Sequence, residues 1–291
     1  MFKVAIAIPA YNEEDTIGHV IIKAKSAVSK LDAFILVVDD GSSDRTAELA
    51  ERAGADVIIR HKNNRGVSCA YNSCIKYAVK YGADIICTID ADGQFSPEEI
   101  PKMISPIKTK MCDIAIGSRF IKPSTNTQIP ILNSVTNKII ARFVGLLIKK
   151  RLYDVESGFR AYSYEAAMKL DLMGRGSFSY DTILDLSSKG FRIHEVPVSV
   201  KYFKNRNSRV VSSLLRYGVT SFLSIILKLL TIRKLCSFSL IDNFSENSVY
   251  KSMPLLKHPD SILIEQIKHR LLQQKDKTNN LARQDEMKMP A

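Results

Sequence analysis

The chain has 291 residues, 45% hydrophobic and 25% charged, which suffices for one substantial core or two modest ones and excludes a chain disordered throughout. Its net charge of +12 is concentrated, since residues 114–153 hold seven bases and no acid and residues 199–241 hold eight bases and no acid. Such stretches attract polyanions, leaving nucleic acid, an anionic membrane surface or phosphorylated small molecules as partners.

In chain order, the start "MFKVAIAIPAYNEE" has only a short apolar run before its acids, too little for the apolar stretch of a signal peptide, so the chain is expected on the cytosolic side. The β-branched runs "KVAIAI", "FILVVD", "ADVIIR", "DIICTID" and "DIAIGS" alternate with helical patterns, Ile17, Val20, Ile21 and Ala24 in one and Ala70, Cys74, Tyr77 and Ala78 in the next. That alternation predicts an α/β fold with a mostly parallel sheet. The five cysteines (69, 74, 87, 112 and 236) lack CxxC spacing, which argues against a disulfide framework or zinc site, and Cys74 and Cys87 read as small core residues. Further on, Val135, Ile139, Ile140, Phe143, Leu146 and Leu147 set against Lys138, Arg142, Lys149 and Lys150 predict an amphipathic basic helix. A shorter α and β section spans 164–200 and ends in the strand-like "RIHEVPVSVKYF". Residues 211–236 pattern as a second basic amphipathic helix suited to a membrane interface, and 237–291 as a polar tail.

In open α/β sheets ligands bind beyond the carboxyl ends of the strands, so the residues ending each run carry the chemistry. "DADGQ" sets Asp90, Asp92 and Gln94 on one side if the backbone stays extended, three oxygen donors that suit Mg2+ or Mn2+ shared with a diphosphate, while Ala91 points away. "VVDDGSSDRT" ends a strand at Asp39 and Asp40, where a carboxylate can accept from the N–H of a nucleotide base, and "PAYNEE" adds Pro9, a Tyr11 ring able to cover a base, and Glu13. No G-x-G-x-x-G follows the first strand and no P-loop occurs, so dinucleotide enzymes and Walker-type ATPases recede.

The ordered set "IPAYNEE", "VVDDGSSDRT", "NRGVSCAYN", "DADGQF", "GSRF", "DVESGFRAY" and "KGFRIHEVPVSVKY" resembles the family 2 glycosyltransferases of GT-A fold, particularly the dolichyl- or polyprenyl-phosphate mannose and glucose synthases. The resemblance implies a catalytic domain over 1–210, with Pro9, Tyr11, Glu13, Val38 and Asp40 on the nucleoside, Asp90, Ala91 and Asp92 around the nucleotide sugar, and Asp90, Asp92 and Gln94 on the metal. It places Arg119 near the phosphates and matches the closing loop of relatives to "YFKNRNSRVV", where the usual glycine is replaced by Arg206 and the charge is kept at Arg209. Asp154, Ser157 and Arg160 of "DVESGFRAY" read either as acceptor-site groups or as the scaffold of a turn.

The implied reaction joins a sugar from GDP-mannose or UDP-glucose to a polyprenyl or dolichyl phosphate with inversion. A lipid phosphate is already an anionic nucleophile, so the needs are charge neutralisation by Arg119, Arg206, Arg209 and Arg142 and alignment behind the anomeric carbon. With no transmembrane helix evident, a peripheral protein or one held by a membrane partner protein is expected. The alternative is a family 2 transferase adding a single sugar to a glycan or soluble acceptor; the chain has no Trp, which excludes the usual Q-x-x-R-W form of the processive synthases. A nucleic-acid module is disfavoured, because the basic stretches lack interleaved aromatics and the strand-end acids repel phosphate.

Overall fold

The computed structural model describes residues 2–121, 129, 131–170 and 178–201. All of them lie in the first of the two units into which the chain divides, Met1–Ile241. The five expected strands appear as β1 (Lys3–Ala10), β2 (Asp32–Asp39), β3 (Val57–Arg60), β4 (Ile85–Thr88) and β5 (Ile114–Ser118). With β6 (Arg160–Ser163) and β7 (Ile193–Pro197) they form one seven-stranded sheet in the order β3-β2-β1-β4-β6-β5-β7. β6 runs antiparallel to both β4 and β5, and every other pairing is parallel. Six strands therefore point the same way and their carboxyl ends share one edge, where β6 begins.

Apolar runs form these strands because both faces of the sheet are covered. On one face Val4, Ile6 and Ile8 of β1 join Ile17, Val20, Ile21 and Ala24 of α1 (Ile17–Ala27) and Ile100, Met103 and Ile104 of α4 (Ile100–Lys108) in one buried cluster. α2 (Thr46–Arg52) lies against α1, and α3 (Val67–Lys80) packs on β1, β2 and β4 with Ala70, Cys74 and Ala78 buried, as their spacing predicts. α3 also meets α6 (Tyr164–Lys169) and α7 (Phe178–Ser188). Cys74 and Cys87 are core residues at 0% exposure.

The predicted basic helix is α5 (Ile131–Leu147), but its phase differs from the expected apolar stripe. Ile140, Ala141 and Val144 are buried, whereas Val135, Ile139 and Leu146 are 46%, 65% and 72% exposed. At 100° per residue these three share a face with the exposed Lys138 and Arg142, so the outer surface of α5 interleaves apolar and basic side chains. Apolar residues stand on both faces, and sequence spacing alone cannot say which set the core takes. Among the described residues no helix is long and apolar enough to cross a membrane. The predicted helix at 211–236 and the tail at 237–291 lie outside the described residues.

Candidate active site

Several loops meet at the carboxyl edge. After β1, Asn12 adopts a left-handed backbone (φ 52°), which its short polar side chain tolerates, and its amide oxygen accepts the Ser43 N–H at 2.8 Å. The same loop is tied to the one after β2 where the Asn12 N–H donates to the Ser42 hydroxyl (2.9 Å) and the Glu13 N–H to the Thr46 hydroxyl (2.8 Å). Gly41 (φ 76°) lets the β2 loop press on the backbone of Asn63 and Asn64, where a Cβ would stand 2.6 Å from the Asn63 carbonyl carbon.

Asp40 is 2% exposed and faces inward. Its carboxylate accepts from His61 Nδ1 (2.6 Å) and from the N–H groups of Arg65 (3.1 Å) and Gly66 (2.8 Å). Nε2 of His61 meets the Ser73 hydroxyl at 2.9 Å, so Asp40, His61 and Ser73 form a polar relay between β2 and α3. Asp40, expected on a nucleoside base, has both carboxylate oxygens bonded to the 61–66 loop in this structure.

β4 ends at Thr88, and the chain turns at Ala91 and Asp92 with Gly93 at φ 71°. The extended backbone assumed for Asp90, Asp92 and Gln94 is therefore absent. Asp92 Oδ1 instead accepts the backbone N–H of Gln94 (2.9 Å), the Gln94 carbonyl accepts the Lys201 N–H (2.8 Å), and Ala91 is buried in the core at 2% exposure.

Asp90 is the best surrounded of these groups. Tyr71 of α3, 2% exposed and stacked on Phe178 of α7 at 3.8 Å between ring centroids, donates its hydroxyl to Asp90 Oδ1. A Cβ on Gly158 would stand 2.6 and 2.8 Å from the two Asp90 carboxylate oxygens and closer still to the Tyr71 hydroxyl, so only glycine fits there. Burial pushes the Asp90 carboxyl above its ordinary value; the Tyr71 hydrogen bond and the Arg119 and Arg160 guanidiniums draw it down, and the Glu13 charge works against them. Burial, aided by the charge of Asp90, holds the Tyr71 phenol well above its usual value, so it stays a donor.

Arg119, beyond β5, is gripped by Asp154, with Nε on Oδ2 (2.6 Å) and Nη2 on Oδ1 (2.8 Å). Asp154 is fully buried and held in turn: Glu195 of β7 accepts the N–H groups of Tyr153 and Asp154, and Asn137 of α5 donates to the Tyr153 carbonyl (2.7 Å) and accepts the Val155 N–H (3.1 Å). Burial raises the Glu195 carboxyl above its ordinary value, and the hydrogen bonds it accepts partly offset this. Arg160 is 0% exposed and folds onto the carbonyls of Ser157 (2.8 Å) and Val155 (3.1 Å). The open choice for Asp154, Ser157 and Arg160 thus resolves towards scaffold.

Two carboxylates beside a half-buried turn suit a small octahedral cation that keeps its other positions for water and a diphosphate. A cation would also relieve the burial that opposes ionisation of Asp90. Among the described residues no group of three or more His, Cys, Asp or Glu side chains converges on a metal position, and the candidate donors are Asp90, Asp92 and the amide oxygen of Gln94. The residues present therefore fit Mg2+ or Mn2+.

The model of "Glycosyl transferase family 2" matches residues 5–170, from β1 through α6. The chain is a family 2 glycosyltransferase. It is 32% identical over 203 residues to the polyprenol monophosphomannose synthase of Mycolicibacterium smegmatis, covering 67% of this chain and 76% of that one. It is 30% identical over 234 residues to the UDP-N-acetylglucosamine–dolichyl-phosphate N-acetylglucosaminyltransferase of Methanococcus voltae, covering 74% and 92%. The fold matches the crystal structure of glucosyl-3-phosphoglycerate synthase from Mycobacterium tuberculosis in complex with Mn2+, UDP and phosphoglyceric acid, with TM-score 0.58, 18% identity and 78% coverage of both chains.

In this glycosyltransferase, Glu13, Asp90 and Arg119 interact around the carboxyl edge. Asp92 and Gln94 lie in the turn after β4, and Tyr11 directly follows β1. Pro9 and Val38 are buried partners across β1 and β2, beneath the loops rather than on them. Arg142 stands exposed on the outer face of α5, and Arg206 and Arg209 lie outside the described residues. Spacing missed Tyr71, His61, Gly158 and Glu195. Tyr71, Gly158 and Glu195 nonetheless sit inside quoted motifs, "NRGVSCAYN", "DVESGFRAY" and "KGFRIHEVPVSVKY".

Proposed function

We propose that this glycosyltransferase transfers mannose or glucose from GDP-mannose or UDP-glucose to a polyprenyl or dolichyl phosphate, with inversion, from a catalytic domain of residues 1–210. The observation carrying this reading is a two-carboxylate turn at the carboxyl edge of a chain whose similar proteins are named for polyprenyl or dolichyl phosphate acceptors. Asp90, Asp92 and, through its side chain, Gln94 would hold Mg2+ or Mn2+, which when bound neutralises the departing nucleoside diphosphate. Tyr11 and Glu13, on the loop between β1 and α1, line the donor side. Arg119, oriented by Asp154, presents fixed positive charge where donor and acceptor phosphates approach, so two anions meet without a strong general base. Arg206 and Arg209 would add acceptor-side charge.

The acceptor's lipid chain keeps the reaction at a membrane, and we place the protein peripherally on its cytosolic face. The outer face of α5, with Val135, Ile139 and Leu146 among Lys138 and Arg142, supports this, since an interfacial helix needs apolar and basic groups side by side. The test offers the purified protein UDP-glucose or GDP-mannose with Mn2+ and either a polyprenyl phosphate or 3-phosphoglycerate. Sugar on the lipid alone supports the reading, and sugar on 3-phosphoglycerate alone replaces it with a soluble-acceptor transferase.

A further inference from the structure

The contacts of Asp90 come from three separate parts of the fold. α3 supplies the Tyr71 hydroxyl on Oδ1, the loop before β6 supplies Gly158 against the carboxylate, and α7 supplies Phe178 behind the Tyr71 ring. The two rings are nearly parallel, 16° apart, and Tyr71 is 2% exposed, so the hydroxyl cannot swing away without unpacking α3 from α7. Gly158 closes the same side: its missing Cβ leaves the space in which the Tyr71 hydroxyl meets the Asp90 carboxylate.

We infer that Tyr71 is a positioning residue that makes Asp90 a one-oxygen ligand and thereby sets which cation the site accepts. The inference rests on the proposed metal role of Asp90 and Asp92. Its physical basis is the difference between hard cations. Mg2+, and Mn2+ in its likeness, takes octahedral oxygen sites with one bond per carboxylate, whereas Ca2+ takes six to eight ligands and readily chelates a carboxylate through both oxygens. The Tyr71 hydroxyl occupies Oδ1, so an ion that chelates both oxygens, as Ca2+ readily does, would have to displace this part-buried hydrogen bond, whereas an ion bound through Oδ2 alone would not. Partners of this kind orient the ligand and matter nearly as much as the ligand itself.

The test uses the full chain with UDP or GDP and no acceptor, and reads Mn2+ binding from the electron paramagnetic resonance of free Mn2+, with Ca2+ measured by competition. Tyr71→Phe keeps the ring on Phe178 and removes only the hydroxyl; a thermal melt confirms that it folds. The expected result is Mn2+ affinity lowered by about 10-fold, the range for loss of such a partner, with Ca2+ affinity falling less, so that the preference for Mn2+ narrows. Asp92→Asn serves as the separate control for the metal site. Mn2+ binding that Asp92→Asn abolishes but Tyr71→Phe leaves unchanged, or an equal fall for both ions in Tyr71→Phe, overturns the inference while sparing the metal site. Mn2+ binding that survives Asp92→Asn overturns the metal reading itself.

Discussion

Replacing Gly158 with alanine tests how tightly the site is built. The added Cβ would lie 2.6 and 2.8 Å from the Asp90 oxygens, inside the 3.0 Å that real Cβ contacts keep. Three escapes are open and each is costly. Tyr71 is wedged against Phe178. The backbone at Gly158 is pinned because its carbonyl accepts the buried Thr88 hydroxyl at 2.9 Å. Asp90 can move, but only by leaving the position its contacts define. Overpacking of this kind costs about 1–3 kcal/mol. For a domain of this size that lowers the melting temperature by about 2–4 °C per kcal/mol. A shift of about 1 Å in the Asp90 carboxylate lowers kcat/KM by about 100-fold. The assay is a thermal melt beside steady-state transfer at saturating Mn2+. Gly18→Ala is the control, because Gly18 lies in α1 with nothing within 4 Å, and there alanine is expected to leave activity intact and to stabilise by up to about 1 kcal/mol. A Gly158→Ala protein with wild-type melting temperature and wild-type kcat/KM would refute the packing argument.

Asp154→Asn removes the charge that orients Arg119 in a buried, two-point ion pair; the expected loss is about 3–5 kcal/mol of stability by urea denaturation, with transfer activity falling as well. Ile139→Glu and Leu146→Glu on the outer face of α5 should reduce co-sedimentation with anionic vesicles without changing the melting temperature, and unchanged sedimentation would remove α5 from the membrane contact. Asp113 is held below the ordinary carboxylate range chiefly by its hydrogen bond from the Arg192 guanidinium. Its stabilisation is therefore present above the unfolded carboxyl value of about 3.9 and fades as pH falls through the lower folded value, so Asp113→Asn should flatten the stability curve below about pH 4. The change is small because Arg192 is exposed and solvent screens the pair.

Particular residues show what spacing could and could not reveal. The apolar runs of β1 to β5 and the positions Ile17, Val20, Ile21 and Ala24 were legible because burial on both faces of a parallel sheet leaves continuous hydrophobic strands and one-sided helices. β6 escaped because it is four residues long and opens on Arg160, a charge that the carbonyls of Ser157 and Val155 and the Phe178 ring help make tolerable in the core. The strand-end rule predicted that Asp90 and Asp92 stand just beyond β4, as they do, but strand alternation failed for Gln94 because Gly93 takes a positive φ and the chain turns. The fastening of Asp40 was not legible, because its donors, His61 and the Arg65 and Gly66 N–H groups, come from a loop more than twenty residues away. Tyr71 and Gly158 reach Asp90 only through tertiary packing, which periodicity does not encode.

The central claim is that Asp90 and Asp92 hold the diphosphate end of a nucleotide sugar whose sugar leaves on a lipid phosphate. Its most direct measurement follows radiolabelled sugar from GDP-mannose, UDP-glucose and UDP-N-acetylglucosamine, each in turn, into the organic phase with a polyprenyl phosphate and Mn2+ or Mg2+. The account predicts label in the lipid from one of these donors, abolished by chelation of the metal and by Asp92→Asn. No lipid-linked label from any donor, or an unchanged rate in Asp92→Asn, would contradict it.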